Sequence, residues 1–440
     1  MRIRFWGTRG SIPKPGPATL RYGGNTSCVE VRAHDTFIVL DCGTGAHELG
    51  QQIVASSPGP VRGHLLITHT HWDHIQGFPF FAPLFVPGSE WDIYAPRQIG
   101  RSLDEILAAQ MQRTYFPVPL GELAATIRYH ELTEGRFELD AVRVTTRYLN
   151  HPAPALGYRL EADGVTVVYA TDHEPHSRHH PEAPGETSRV HREDERHIEF
   201  LAGADLVIHD ATYTLEEYPE KLTWGHTPAE WAVDFAVSAQ ARRLALFHHD
   251  PSRTDRAIDA LLARCRRRLP ANDAPEVFAA AEGQYLVVVR PGATQAVDGP
   301  LVVATAPRAR PIHETTILIA DDDPEVLAVM VDALEQEGYR VVTAADGSTA
   351  LDVARRERPD IVVLDWMMPE QDGLAVCRAL RHDADPKLAE VPVVLITGRV
   401  DAGDTAAGFD AGVTDYLTKP FKPTHLLARL HAWLVRSHGA

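Results

Sequence analysis

Cysteine is scarce in this chain of 440 residues: there are four, Cys28, Cys42, Cys265 and Cys377, scattered and with no C-x-x-C pair. That spacing argues against a disulfide scaffold and reads as free thiols in a reducing compartment. No run approaches the roughly 18 apolar residues of a membrane span. The N-terminus, Met1-Arg2-Ile3-Arg4-Phe5-Trp6, alternates like a strand and lacks the apolar centre of a signal peptide. A soluble cytoplasmic protein with no membrane partner is expected. Positive charge is also in deficit, with 43 Lys and Arg against 60 Asp and Glu and a net charge of −17. An acidic surface of this kind argues against wrapping long nucleic acid, while leaving room for a local basic pocket. The length suggests two or three domains, and a hydrophobic fraction of 44% is ample for large cores.

What is present is a dense run of ligand-type side chains. Leu65-Leu66-Ile67-Thr68 leads into His69-Thr70-His71-Trp72-Asp73-His74, an H-x-H-x-D-H pattern. Apolar and β-branched residues entering a polar cluster read as a buried strand that delivers side chains into a cleft. Imidazole and carboxylate together suit zinc, manganese or iron rather than a soft thiolate site. No single ion readily takes all four side chains from so short a piece, whereas two ions side by side could share them.

Along the chain, residues 2–6 read as an edge strand. The Gly/Pro-rich stretch from Gly7 to Ser27 reads as a long connection in which Arg9 or Asn25 could touch a substrate. Residues 27–33 and 36–40 form a hairpin ending in Asp41-Cys42-Gly43. Residues 78–96, rich in Phe and Pro, form a cleft wall, and 101–111 an amphipathic helix. Strands follow near 136–139 and 142–147, the second ending at His151. Another hairpin, 156–161 and 165–169, turns at Asp163-Gly164 and ends at Asp172-His173. His173 reads as a solvated neighbour. Residues 174–198 carry His176, His179, His180, His191 and His197 and read as a solvated loop leading into a helix at about 190–202. Strand 205–209 ends in His209-Asp210-Ala211-Thr212. Thr227 then caps a helix with Pro228 in its first turn. Strand 243–247 ends in His248-His249, and a helix (253–268) and two strands (276–279, 285–289) complete the unit.

The H-x-H-x-D-H run resembles the signature of the metallo-β-lactamase superfamily, over roughly residues 1–290. The later His-Asp-Ala-Thr, Gly-His-Thr and strand-ending His resemble its phosphodiesterase, ribonuclease Z-like branch. The resemblance implies an αββα sandwich with two divalent transition metals, zinc favoured and manganese or iron as alternatives. It implies His69, His71 and His151 on one ion, Asp73, His74 and His248 on the other (His249 as the fallback), and Asp172 bridging. Asp41 would buttress the metal loop from behind. His226 would reach the scissile phosphate as acid or electrostatic partner, oriented by Asp210.

Residues 291–314 carry Pro, Ala, Gly and Thr without periodicity and read as a linker. From Thr315 strict β/α alternation begins: strands at 316–320, 340–344, 361–364, 392–396 and 414–417, helices at 324–337, 347–357, 372–382, 402–411 and 423–436. Such alternation gives a parallel sheet with functional residues at the carboxyl ends of its strands. Asp321, Asp322, Asp365, Thr397 and Lys419 stand there. Converging carboxylates call for a cation, and oxygen ligands suit magnesium. Ile319-Ala320-Asp321-Asp322-Asp323, Leu364-Asp365-Trp366-Met367-Met368-Pro369, Ile396-Thr397-Gly398 and Tyr416-Leu417-Thr418-Lys419-Pro420 resemble the receiver domain of bacterial response regulators. The resemblance implies a flavodoxin-like (βα)5 fold in which Asp365 accepts the phosphoryl group. Asp321, Asp322, Asp365 and the Met367 carbonyl would bind magnesium, Thr397 and Lys419 would hold the phosphoryl group, and Tyr416 would be the rotamer switch. The Asp321-Asp322-Asp323 triple leaves a one-residue shift open, with strand phase favouring the first two.

The domains expected are thus a hydrolase at 1–290, a linker at 291–314 and a receiver at 315–440. The function expected is that of a two-component response regulator whose output is a metal-dependent phosphodiesterase. A small phosphodiester such as a cyclic nucleotide would be its substrate and a sensor histidine kinase its partner. Homodimerisation is compatible with this scheme. The alternatives are a signalling adaptor with a non-catalytic metal site, and a lactonase or thioesterase.

Overall fold

Alternation and turn chemistry account for most of the strands. In the hairpin Ala155–Ala162 to Val165–Ala170, Asp163 and Gly164 both take positive φ, 53° and 69°. That is the backbone of a tight two-residue turn, and it sets the antiparallel register Val165–Ala162. In the computed structural model residues 1–57, 59–176, 191–290, 312–398, 411–421 and 423–437 are described. They divide into two compact units, Met1–Pro175 with Glu195–Ala306, and His176–Asp194 with Pro307–Ala440. The expected linker (291–314, save its last three residues), the helix expected at 402–411 (save Ala411) and the loop histidines His179 and His180 lie outside the described residues.

The first unit holds two seven-stranded sheets. In chain order, the first sheet contains Arg2–Gly7, Cys28–Ala33, Thr36–Leu40, Arg62–Leu66, Glu90–Pro96, Thr126–Leu132 and Tyr285–Val287. The second contains Gly135–Leu139, Val142–Leu149, Ala155–Ala162, Val165–Ala170, Leu206–Asp210, Arg243–Phe247 and Glu276–Ala279. Each is antiparallel on one side and parallel on the other, and the parallel strands are linked through helices. Arg2–Gly7 is not the edge strand expected, because Tyr285–Val287 pairs outside it. Residues 78–96 are part buried and part exposed, with Phe80 and Phe85 at the surface. Phe78 and Phe81 are fully buried, and Glu90–Pro96 pairs on both sides within the sheet.

Helices cover the outer faces. Gly45–Ser56 buries Ala46, Leu49, Gly50 and Ile53, a spacing of three to four residues that lays one stripe on the first sheet. Ala229–Ser238 and Asp255–Arg267 pack on the second sheet with Phe200 and Leu201 of the helix Arg192–Leu201. The facing inner surfaces meet through Phe5 and Phe247, and through Tyr158, whose hydroxyl donates to the Ile67 carbonyl at 2.6 Å.

The second unit has a parallel five-stranded sheet in the order Arg340–Ala344, Thr316–Ala320, Ile361–Asp365, Val393–Thr397, Asp415–Thr418. Asp323, Asp346 and Asp372 cap the helices Pro324–Gln336, Gly347–Glu357 and Gly373–Arg381 by accepting backbone N–H groups. A short helix, Pro386–Glu390, has no counterpart in the expected pattern. Among the described residues, no helix is long and apolar enough to cross a membrane.

Tyr158→Phe removes a buried donor that joins the two sheets of the first unit. It is expected to lower stability by about 1–3 kcal/mol. A urea titration checks this as a fall in midpoint at unchanged slope.

Candidate metal centre

The ligand-type side chains sit just past strand ends. His69, His71, Asp73 and His74 follow Arg62–Leu66 of the first sheet. His151, Asp172 and His248 follow Val142–Leu149, Val165–Ala170 and Arg243–Phe247 of the second. Asp41, Asp172 and His248 all have left-handed backbone, with φ of 58°, 56° and 58°. This conformation costs a non-glycine residue about 1 kcal/mol. It turns the chain within one residue and brings these three side chains back toward the cleft.

The ligand atoms of His69, His71 and His151 lie within 4.8 Å of one another, as do those of Asp73, His74 and His248. Asp172 forms one such group with His69 and His74 and another with His226 and His248. His74 Nε2 is 3.3 Å from both Asp73 Oδ2 and Asp172 Oδ1. His248 Nε2 is 3.1 and 3.3 Å from the same two oxygens. His151 Nε2 is 3.1 Å from His71 Nδ1, and His71 is the exposed member of the cluster.

The donor set fits a pair of divalent ions. The buried Nε2 atom of His69 makes no hydrogen bond, although protein interiors rarely leave such an atom unused. Burial pushes the pKa of His69 and His151 well down, which keeps their imidazoles neutral as ligation requires. Burial also works against charge on His74, but Asp73, Asp172 and Asp41 outweigh it and raise that pKa. These carboxylates thus favour positive charge at this point of the pocket.

A second ring of contacts fixes the tautomers. The Gly225 carbonyl can only accept, so His151 Nδ1, 3.1 Å away, carries the proton and leaves Nε2 for the cluster. Gly225 has φ +84°, and a Cβ there would lie 2.2 Å from His151 Nδ1. His74 Nδ1 donates to Asp41 Oδ2 at 2.8 Å, which leaves Nε2 facing the cluster. Ser11 N–H donates to Asp73 Oδ2 at 2.6 Å. His226 Nδ1 is 2.8 Å from Asp210 Oδ2 and 3.9 Å from Asp172 Oδ2, and its ring stacks on His248. Burial alone would lower the His226 pKa, but the Asp210 carboxylate lifts it to about 9. Ser11, Gly225 and Glu174 were missed by sequence reasoning. Ser11 acts through its backbone N–H and so leaves no residue-type signal.

Several expectations are corrected. His249 turns away from the cluster toward the Ala280 carbonyl. Arg9 is fully buried and donates to the carbonyls of Gly23, Asp250 and Arg253, so it does not reach the cleft. Asn25 is engaged by Glu282 through its side-chain amide and backbone N–H. His173 is not solvated: it is buried and stacks on His197 with ring centroids 3.8 Å apart. His197 lies 2.9 Å from His209, Nε2 to Nε2, and is likewise buried, as is His191. Thr227 does not cap the following helix; Pro228 holds that position, and the Thr227 hydroxyl donates to the His173 carbonyl.

In the second unit Asp321 and Asp365 are buried at neighbouring strand ends and share one ammonium group. Lys419 Nζ is 2.9 Å from Asp321 Oδ2 and 2.5 Å from Asp365 Oδ1. Burial opposes the charge on Lys419, but the two carboxylates raise its pKa. Asp365 Oδ2 also accepts the Met367 N–H at 2.7 Å. Asp323 is spent on capping and Asp322 is exposed. Thr397 ends its strand, and both it and Tyr416 are buried. Among the described residues, Asp321, Asp322 and Asp365 do not form a group with ligand atoms within 4.8 Å.

Residues 36–249 match the β-lactamase superfamily domain, and residues 317–431 match the response regulator receiver domain. Over 121 residues the chain is 42% identical to the DNA-binding response regulator MtrA of Mycolicibacterium smegmatis. That alignment covers 28% of this chain and 51% of MtrA, so the chain spans about half the length of the curated relatives it matches. Among solved structures, human tRNase Z, short form, is 21% identical with a TM-score of 0.44, covering 66% of this chain and 100% of that one. Chemotaxis response regulator CheY4 of Vibrio cholerae is 30% identical with a TM-score of 0.26, covering 27% and 98%. The two family matches fall on separate stretches, and the chain accordingly carries a β-lactamase-superfamily domain followed by a C-terminal response-regulator receiver domain.

Proposed function

We propose that this chain is a cytoplasmic response regulator whose output is a dinuclear-metal phosphodiesterase acting on a small phosphodiester such as a cyclic nucleotide. In this reading residues 1–290 are the hydrolase, 291–314 the linker and 315–440 the receiver. The observation that supports it is the meeting of two ligand sets across Asp172, with the His226–Asp210 pair beside them. His69, His71 and His151 hold one ion and Asp73, His74 and His248 the other, zinc being favoured. When bound, such a pair supplies Lewis acidity and a water acidic enough to lose its proton near neutral pH. Asp210 fixes His226 through Nδ1, which leaves Nε2 to stabilise the phosphate or protonate the departing oxygen. In the receiver, a partner sensor histidine kinase supplies the phosphoryl group to Asp365. Asp321, Asp322, Asp365 and the Met367 carbonyl are the groups that would hold magnesium. Lys419 and Thr397 contact the phosphoryl group, and Tyr416 reports it.

Purified protein is expected to contain two divalent ions per chain and to hydrolyse bis(4-nitrophenyl) phosphate. Chelation is expected to abolish turnover and lower Tm, because the ions bind only the folded site; adding zinc or manganese back should restore both. A metal-loaded protein inert toward this diester and toward a panel of cyclic and linear nucleotides would sink the reading.

His226→Ala is expected to reduce kcat by about 10²–10⁴-fold, the range for loss of a general acid, with metal content unchanged. Equal kcat in variant and wild type would remove His226 from the chemistry. For regulation, acetyl phosphate is expected to change the hydrolysis rate of wild type and not of Asp365→Asn. Equal rates for both treated proteins would separate the receiver from the output.

A further inference from the structure

Of the chain's seven tryptophans, Trp72 and Trp224 are the exposed ones, at 75% and 53%. Both adjoin residues of the metal centre in the chain. Trp72 follows His71 directly, and Trp224 precedes Gly225, whose carbonyl holds His151. His71 and His151 are themselves 3.1 Å apart. Two large exposed aromatic side chains thus stand on the two segments that meet at one histidine pair.

The backbone beside Trp224 is held by hydrogen bonds to one side chain. Glu174 is buried and accepts the N–H groups of Thr223 at 2.7 Å and Gly225 at 2.9 Å, and the Tyr218 hydroxyl at 3.1 Å. These bonds clamp the chain on both sides of Trp224. Thr223 is a β-branched residue with φ of 72°, an outlier that persists only where the surroundings dictate it. Glu174 is joined in turn to the strand end that carries His151: its N–H donates to the Asn150 carbonyl, and the Asn150 amide returns a bond to the Glu174 carbonyl. The position of Trp224 is thus tied to that of a metal-centre histidine. Lys221 Nζ lies 4.4 Å from the centroid of the Trp224 ring and places positive charge on it.

A rigid, exposed indole polarised by a cation suits a flat aromatic ring joined to an anion. We propose that Trp72 and Trp224 form the platform on which the substrate rests a planar group of nucleobase type while its phosphate lies at the metal centre. This deepens the phosphodiesterase reading and rests on it for the identity of the substrate. Trp224 sets specificity, and Glu174 is a positioning residue.

The test is calorimetric titration of the full-length, zinc-loaded protein with adenosine 5′-monophosphate and with ribose 5-phosphate. The two share the phosphate and differ in the base. Stacking on an aromatic side chain is expected to favour the base-bearing probe about tenfold or more. Trp224→Ala, and separately Trp72→Ala, are expected to bring that ratio toward one, and Trp224→Phe to retain most of it. A wild-type ratio near one, or a ratio untouched by both alanine variants, overturns the platform. Retention by the phenylalanine variant separates lost stacking from a damaged fold. Diester turnover is measured on the same samples. Turnover with an unchanged ratio rejects the platform alone. A ratio that collapses in the alanine variants, with no turnover in any sample, rejects the hydrolase reading and leaves the platform standing.

Discussion

A carboxylate sealed from water has to be met by protein donors, and at Asp41 four of them converge. Its oxygens accept the Thr68 N–H at 2.7 Å, the Thr68 hydroxyl at 3.0 Å, His74 Nδ1 at 2.8 Å and the Tyr169 hydroxyl at 2.8 Å. Thr68 and His74 belong to the run after Arg62–Leu66 in the first sheet, and Tyr169 to a strand of the second. One buried side chain therefore sets the tautomer of His74, the path of the ligand run and the closeness of the two sheets. The left-handed backbone at Asp41 is repaid by these bonds, which is why a strained residue persists there.

The same logic of sharing runs through both halves of the molecule. In the first, imidazoles kept neutral by burial sit beside carboxylates kept charged by their neighbours. In the second, the buried Asp321 and Asp365 are balanced by one ammonium group on a long side chain. A charged group added at Asp365 would compete for that ammonium, so the balance is sensitive to a change of charge there.

Strand ends were legible because their side chains break an apolar run, as at His69 to His74, His151, Asp172 and Asp365. The alternation that defines the receiver, and the Asp163-Gly164 turn, were legible for the same local reasons. The choice between His248 and His249 was not, since adjacent residues of a strand face opposite ways and a single left-handed residue decides which one faces inward. The burial of His173 was hidden because its stacking partner, His197, arrives on a helix 24 positions later. Arg9 looked like a ligand-contacting residue in a glycine-rich loop, yet it is consumed by distant carbonyl groups. Composition marks where chemistry sits; it does not reveal contacts made through backbone atoms or across long stretches of chain.

Neither sheet of the first unit alone supplies the group His69, His71 and His151 or the group Asp73, His74 and His248. His69 and His71 come from one side of the sandwich and His151 from the other; Asp73 and His74 come from one side and His248 from the other. Sliding one layer past its neighbour by an ångström would therefore spoil both sets together while every strand stayed intact. The clustering therefore depends on how the two layers are aligned and not on either layer alone.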